Sequence, residues 1–279
     1  MNNEKYKIGK KLFFCFTLIE MIVVFGIILI LTGMLLPTLM KSKSSANSTL
    51  CKNNLRQLSL ANTMYAEAWG RSVPWGADRK TTNLQRWHGR RSAPLNSEDY
   101  NHELSPLFTY LKTEEEIQCP EFTKKVDSSA DSEEKGGGGY GYNLYIGTNA
   151  YFQDNPDSEE AYTSGVLLKT IENPSTTLLF ADTAMNVDSD GNMECASHGS
   201  LASWSILNAP FGVSKKTTDS YIENNPSTHF RHLKTANVSW CDGHVSQQRM
   251  EWTLNERWKK KNLGFFGSKT DNTLFKPVP

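Results

Sequence analysis

From Phe16 to Leu36 the chain is apolar for 21 residues, broken only by Thr17, Glu20, Gly26, Thr32 and Gly33. A helix of that length spans roughly 30 Å, the thickness of a bilayer's hydrocarbon core. Apolar positions then recur at helical spacing: Cys51, Leu55, Leu58, Ala61, Tyr65 and Ala68 lie three or four residues apart, with Lys52, Asn54, Arg56, Gln57 and Glu67 between them. That is an amphipathic stripe, suited to lying on a folded core. Joined, the two patterns predict one helix over 16–69, about 80 Å long and ended near Gly70.

Beyond Gly70 the helical period fades, and turn formers and aromatics such as Trp75, Trp87, Tyr100, Phe108 and Tyr110 take over. The run from Asp127 to Gly139 is acidic and then glycine-only, and it reads as a surface loop. Its glycines lack the following Lys and Ser/Thr of a phosphate-binding loop. "YGYNLYIGTNAYF" from Tyr140 alternates as one or two antiparallel strands would, and "TTLLFADT" from Thr176 is a short β-run ended by Asp182. Ala236, Val238 and Trp240 share one strand face, Asp242-Gly243 reads as a type I′ turn, and His244-Val245-Ser246 start the return strand. The pattern predicts an α+β protein: a long N-terminal helix, membrane-spanning over 16–36, packed on a mainly antiparallel sheet in a globular domain over 70–279.

Charge sharpens this picture. Lys+Arg and Asp+Glu balance at 30 each, so no global field draws the chain to nucleic acid. The one basic run, Arg257 to Lys261 beside Trp252 and Trp258, is a packed or surface helix rather than a DNA contact. Lys5, Lys7, Lys10 and Lys11 precede the apolar run and Lys41 and Lys43 follow it, which places the N-terminus inside. Glu20 is the anomaly: a charge in an apolar span is costly at mid-bilayer, less so near an interface, and by default has a partner. A secretory signal peptide has a shorter apolar region of about 7–15 residues, and a plain anchor leaves Glu20 unexplained. Of the cysteines, none forms a Cys-x-x-Cys pair; with the chain beyond Met40 exported, Cys51, Cys119, Cys195 and Cys241 could pair in three ways or stay free.

Cys15-Phe16-Thr17-Leu18-Ile19-Glu20 resembles the Gly-Phe-Thr-Leu-x-Glu signal of type IV prepilins and type II secretion pseudopilins, with Cys15 where that family has Gly. The resemblance implies that 1–15 is a leader, that prepilin peptidase cuts between Cys15 and Phe16 on the cytoplasmic side, and that the new Phe16 amine is methylated. Glu20 would then neutralise the Phe16 amine of a neighbouring subunit and set the register of a filament. Gly26, Gly33 and Pro37 resemble the weak points of pilin helices, although ordinary membrane helices tolerate them too.

"CKNNLRQ" from Cys51 resembles a C-x-N-N-L-x-Q segment in a pilin-like group of planctomycete, verrucomicrobial and lentisphaeral bacteria. The strand leading to Asp182 is similar to one in that group, and His232 followed by Asp242-Gly243 matches its C-terminal H-x9-DG element. The resemblance implies a structural subunit, not an enzyme, of a pilus-like or pseudopilus filament. Its expected partners are prepilin peptidase, other pilin-like subunits and inner-membrane assembly machinery, with a periplasmic or extracellular globular half. The rival reading is a membrane-tethered exported enzyme or carbohydrate-binding module.

Two metal readings stand beside these. Asn186, Asp188, Asp190, Gly191 and Glu194 occupy positions one, three, five, six and nine of an EF-hand-like calcium loop, with Ser197 at the twelfth, where a bidentate Glu is expected, and Asp182 as a borrowed ligand. His229, His232, Cys241 and His244 have finger-like spacing for zinc, but the Asp-Gly turn must bring them together. An acid–base pair of His232 and Asp242 would need the chain to reverse near Leu233 to Thr235, since ten extended residues span about 33 Å.

Overall fold

The computed structural model describes residues 17–78, 82, 84–92, 100–111, 113, 117–122, 137–149, 160–187, 200–211 and 224–277. Cys15, Phe16, Asp188, Asp190, Gly191, Glu194, Cys195 and Ser197 lie outside them, as does the acidic stretch 127–135. The chain forms two compact units, Met1–Lys43 and Ser44–Pro279. Helix α1, Leu18–Trp69, is continuous for 52 residues with Pro37 inside it.

In the first unit every large apolar side chain from Leu18 to Met40 is exposed. By length and composition the helix can cross a membrane. It starts with a reciprocal cap: the Thr17 hydroxyl accepts from the Glu20 N–H at 3.3 Å, and Glu20 Oε2 accepts from both the Thr17 N–H and its hydroxyl at 2.7 Å. This is the Thr-x-x-Glu capping box, in which two orphan donors of the first turn are satisfied together. Glu20 therefore has a local job that the apolar pattern alone does not disclose.

In the second unit α1 buries Asn47, Ser48, Cys51, Leu55, Leu58, Ser59, Ala61, Asn62 and Ala66. Cys51, Leu55, Leu58 and Ala61 follow the expected stripe, whereas Tyr65 is half-buried and Ala68 exposed, because the last turn runs past the core. Three of the buried polar side chains are matched: Asn62 Oδ1 accepts from the Val73 N–H at 2.9 Å, Ser48 donates to Asn237 at 3.2 Å, and the Asn47 amide donates to Glu121. Gly70, at φ +76°, ends the helix in the left-handed conformation that glycine adopts without strain.

The described strands are β1 Gln85–Arg86, β2 Gly89–Arg90, β3 Tyr140–Asn143, β4 Leu178–Asp182, β5 Met185–Val187, β6 Ser200–Ala202, β7 Ile206–Leu207, β8 Thr228–His229, β9 Thr235–Trp240, β10 Val245–Arg249 and β11 Leu263–Gly264. Five of them form the central sheet in the order β10-β9-β4-β3-β7. Its pairs are antiparallel except β3 with β7, so the sheet is mixed. One apolar cluster joins Cys51, Leu55 and Leu58 of α1 to Tyr140, Tyr142 and Phe180. A second gathers Ala236, Val238 and Trp240, the expected β9 face, with Leu178, Phe266 and Phe275.

Three local expectations are corrected. The hairpin between β9 and β10 does not turn on a type I′ Asp-Gly pair: only Gly243 has positive φ, at +88°, and Gly243 N–H and Trp240 N–H bond to Trp240 O and His244 O around a three-residue loop, Cys241 to Gly243. The type I′ pair is Leu233-Lys234, with φ +52° and +66°, closed by mutual bonds of 3.0 Å between His232 and Thr235. Beyond Asn143 the alternating run leaves the sheet, because the Asn143 side chain accepts from Tyr145 N–H and caps a helical turn at Leu144–Gly147. Gly137 to Gly139 are buried rather than part of a surface loop. A Cβ on Gly138 would collide with the Ile117 carbonyl oxygen, so glycine alone lets the backbones meet there.

Candidate functional site

Four elements deliver one side chain or more each to a sealed polar cluster. Cys51 comes from α1, Cys119 from the segment before the glycine run, Asp182 from the end of β4, and Arg231 and His232 from the turn that opens β9; all are buried. Cys119 is seated by its own N–H, which donates to Gly138 O at 2.9 Å. The close backbone approach allowed by Gly138 is what places this sulfur.

Arg231 organises the cluster. Its Nε donates to Cys119 Sγ at 3.2 Å, Nη1 to Thr183 O at 3.1 Å, and Nη2 to Gly139 O at 2.6 Å and Asp182 Oδ1 at 2.7 Å. Asp182 Oδ2 accepts from the Asn237 N–H at 2.7 Å and lies 3.3 Å from His232 Nε2. That nitrogen is also 3.5 Å from Cys119 Sγ, while the sulfurs of Cys51 and Cys119 are 2.8 Å apart. A planar guanidinium supplies these fixed directions, which a lysine ammonium would not.

The electrostatics follow from this packing. Burial pushes the Cys119 thiol up, but the Cys51 hydrogen bond, the Arg231 guanidinium and His232 outweigh it and hold Cys119 well below its ordinary value. The bond to Cys119, then burial, pushes Cys51 up. Burial works against a charged His232, yet its contacts with Asp182 and Cys119 push its pKa up to about 9. Two cations thus face a carboxylate and a thiol that readily carries charge, and the interior holds little net charge.

A pH dependence follows with a definite sign. The folded pKa of His232 lies above the ordinary imidazole value of 6.5, so its stabilisation is complete below pH 6.5 and is lost as pH rises through 9. Cys119, held below its ordinary value, contributes with the opposite sign over the same range, so His232 is read from a difference. With the thiols kept reduced, the stability of the parent relative to His232→Asn in urea should shrink by about 3 kcal/mol between pH 6 and pH 10, since each tenfold gain in proton affinity on folding is worth about 1.4 kcal/mol. A difference that stays constant with pH would assign the dependence to other groups.

Among the described residues, Cys51, Cys119, Asp182 and His232 form a group whose possible ligand atoms all lie within 4.8 Å of one another. Such a donor set suits zinc chemically. The sulfur spacing does not, since two thiolates on a tetrahedral zinc with 2.3 Å bonds sit about 3.8 Å apart.

The four residues assigned to zinc from their spacing do not converge. His229 is buried on β8 opposite Leu263, Cys241 is half-buried near Leu178 O, and His244 is exposed and stacked on Trp240. His232 and Asp242 stand at opposite ends of β9, so they form no acid–base pair. Asp242 Oδ1 accepts from the His244 N–H at 3.0 Å and lies 2.6 Å from its Nδ1, an arrangement that shapes the loop. Of the calcium residues, Asn186 is buried on β5; Asp182, the borrowed ligand, is committed to Arg231, His232 and Asn237.

No family model, characterised protein or solved structure matches this chain. The site therefore speaks through its own chemistry. Sequence reasoning missed Arg231 altogether, although its place beside His232 was a usable signal. It named Cys51, Cys119, Asp182 and His232 separately and did not join them.

Proposed function

We propose that this chain is a structural subunit of a type IV pilus-like or type II secretion pseudopilus-like filament, anchored by the first half of α1 until it assembles. The observation carrying this reading is the exposed apolar surface from Leu18 to Met40 on the same helix that, from Ser44, is built into a folded core. Such a surface needs a cover. Lipid covers it before assembly, and the equivalent helices of other subunits cover it afterwards. The likeness of Cys15 to Glu20 to a prepilin signal favours the second cover over a permanent tether.

Glu20 suits both stages. Among the described residues its hydrogen bonds within the cap fall on Oε2, and Oε1 is the oxygen that would take a cation. After cleavage the amine of Phe16 on an adjacent subunit is such a cation, and a slip along the axis would leave both charges uncompensated. The folded unit would then form the filament's outer surface.

Intact-mass analysis of the chain extracted from membranes of the producing cell tests this. The reading expects a mature chain beginning at Phe16 and heavier by one methyl group. An unprocessed chain stably held in the membrane would overturn it in favour of the tethered enzyme or binding module.

A further inference from the structure

We infer that Cys51 and Cys119 are joined by a disulfide that staples α1 to the segment ahead of β3. The inference rests on the exported-domain reading above only for the oxidising compartment; the pairing itself rests on geometry. The two sulfurs are 2.8 Å apart, closer than a shared tetrahedral metal would hold them, and both residues are fully buried. Cys241, the other described cysteine, lies instead against the Leu178 carbonyl. At 2.8 Å the two sulfurs are crowded inside ordinary non-bonded contact, and forming the bond relieves that crowding and closes a long loop.

The surroundings give the chemistry a direction. Arg231 Nε donates to Cys119 Sγ at 3.2 Å and His232 Nε2 lies 3.5 Å from the same sulfur, so Cys119 is the thiolate that attacks first. It would attack one sulfur of an incoming disulfide, either a small-molecule disulfide or that of an oxidoreductase, expelling one thiolate and forming a mixed disulfide. Cys51, losing its proton, would then attack the Cys119 sulfur and expel the second. Two electrons and the one proton of Cys51 leave the pair, and the incoming disulfide becomes one thiol and one thiolate. With both sulfurs sealed in the folded unit, the incoming disulfide must reach them in a partly folded state in which Arg231 and His232 already flank Cys119 while the α1 face is still open. Once closed, the bond makes tension on α1 act on the sheet's companion segment through a covalent link, a useful property in a subunit held by its helix.

The full-length chain, purified in detergent, reduced and unfolded, is refolded in a mixture of reduced and oxidised glutathione with one equivalent of zinc chloride. After alkylation, unreduced peptides are mapped by mass spectrometry. The expected result is a Cys51–Cys119 linked peptide in most of the refolded protein. Retained zinc with both cysteines alkylated, a different pairing, or two free thiols would each overturn the inference. Cys51→Ser, Cys119→Ser and the double variant should lose the same amount, about 10 °C in Tm, because each removes the same bond; additive losses would count against it. A second arm traps thiols with alkylating reagent at the lysis of producing cells. If the refolded protein is linked but the cellular protein is reduced, the exported-domain reading fails while the pairing stands.

Discussion

Arg231→Met should destabilise the Ser44–Pro279 unit by about 3–5 kcal/mol, the cost of breaking a buried ion pair by removing one partner. The guanidinium is fully buried and holds Asp182, Cys119 and the carbonyls of Gly139 and Thr183 at once. Methionine fills much of the volume but leaves the Asp182 carboxylate with one cation fewer and strips hydrogen bonds from buried acceptors. Arg231→Lys should recover little, because one ammonium cannot reach four separated acceptors in one plane. A double variant, Arg231→Met with Asp182→Asn, should lose less than the sum of the two single losses, since both changes remove the same ion pair. Urea unfolding measures all three. An Arg231→Met protein within about 0.5 kcal/mol of the parent, the range of an ordinary surface change, would show that the network contributes nothing to stability.

The helix and two strands were legible because their patterns are local. Apolar runs and three-four spacing fix α1 to within two residues of its start, and the short β-runs ending at Asp182 and Trp240 appear as β4 and β9. Polar residues on α1 were not legible as core. Asn47 and Asn62 are buried because their partners, Glu121 and the Val73 backbone, come from elsewhere in the chain. Glycine misled in the opposite sense: Gly137 to Gly139 look like solvent loop, yet they are buried where a bare backbone is needed. The parallel pairing of β7 with β3 is likewise invisible, since a two-residue strand carries no periodicity.

The site was half legible. Cys51, Asp182 and His232 each drew attention through a short stretch of its own, and Cys119 did so through the cysteine count. What brings them together is tertiary: α1 lies against the glycine-lined segment, and the Leu233-Lys234 turn sets Arg231 and His232 at the head of β9. The chain does reverse at Leu233-Lys234, but the reversal sits beside His232 and leaves the whole of β9 between it and Asp242. A spacing of nine residues placed His232 and Asp242 at the two ends of one strand, because β9 runs straight between them.

Glu20 offers the sharpest test of the whole reading, because its two roles respond differently to substitution. As the third helical residue of the Thr17 cap it needs only an acceptor, which glutamine also supplies. As the counter-charge to a neighbour's amine it needs a negative charge, which glutamine lacks. Filament material sheared from producing cells should therefore fall at least about tenfold in Glu20→Gln, a loss of about 1.4 kcal/mol or more per contact, and equally in Glu20→Ala, while membrane insertion and folding of both stay at parental levels. If Glu20→Gln assembles like the parent and only Glu20→Ala fails, the carboxylate is a helix cap and the charge-paired filament is wrong.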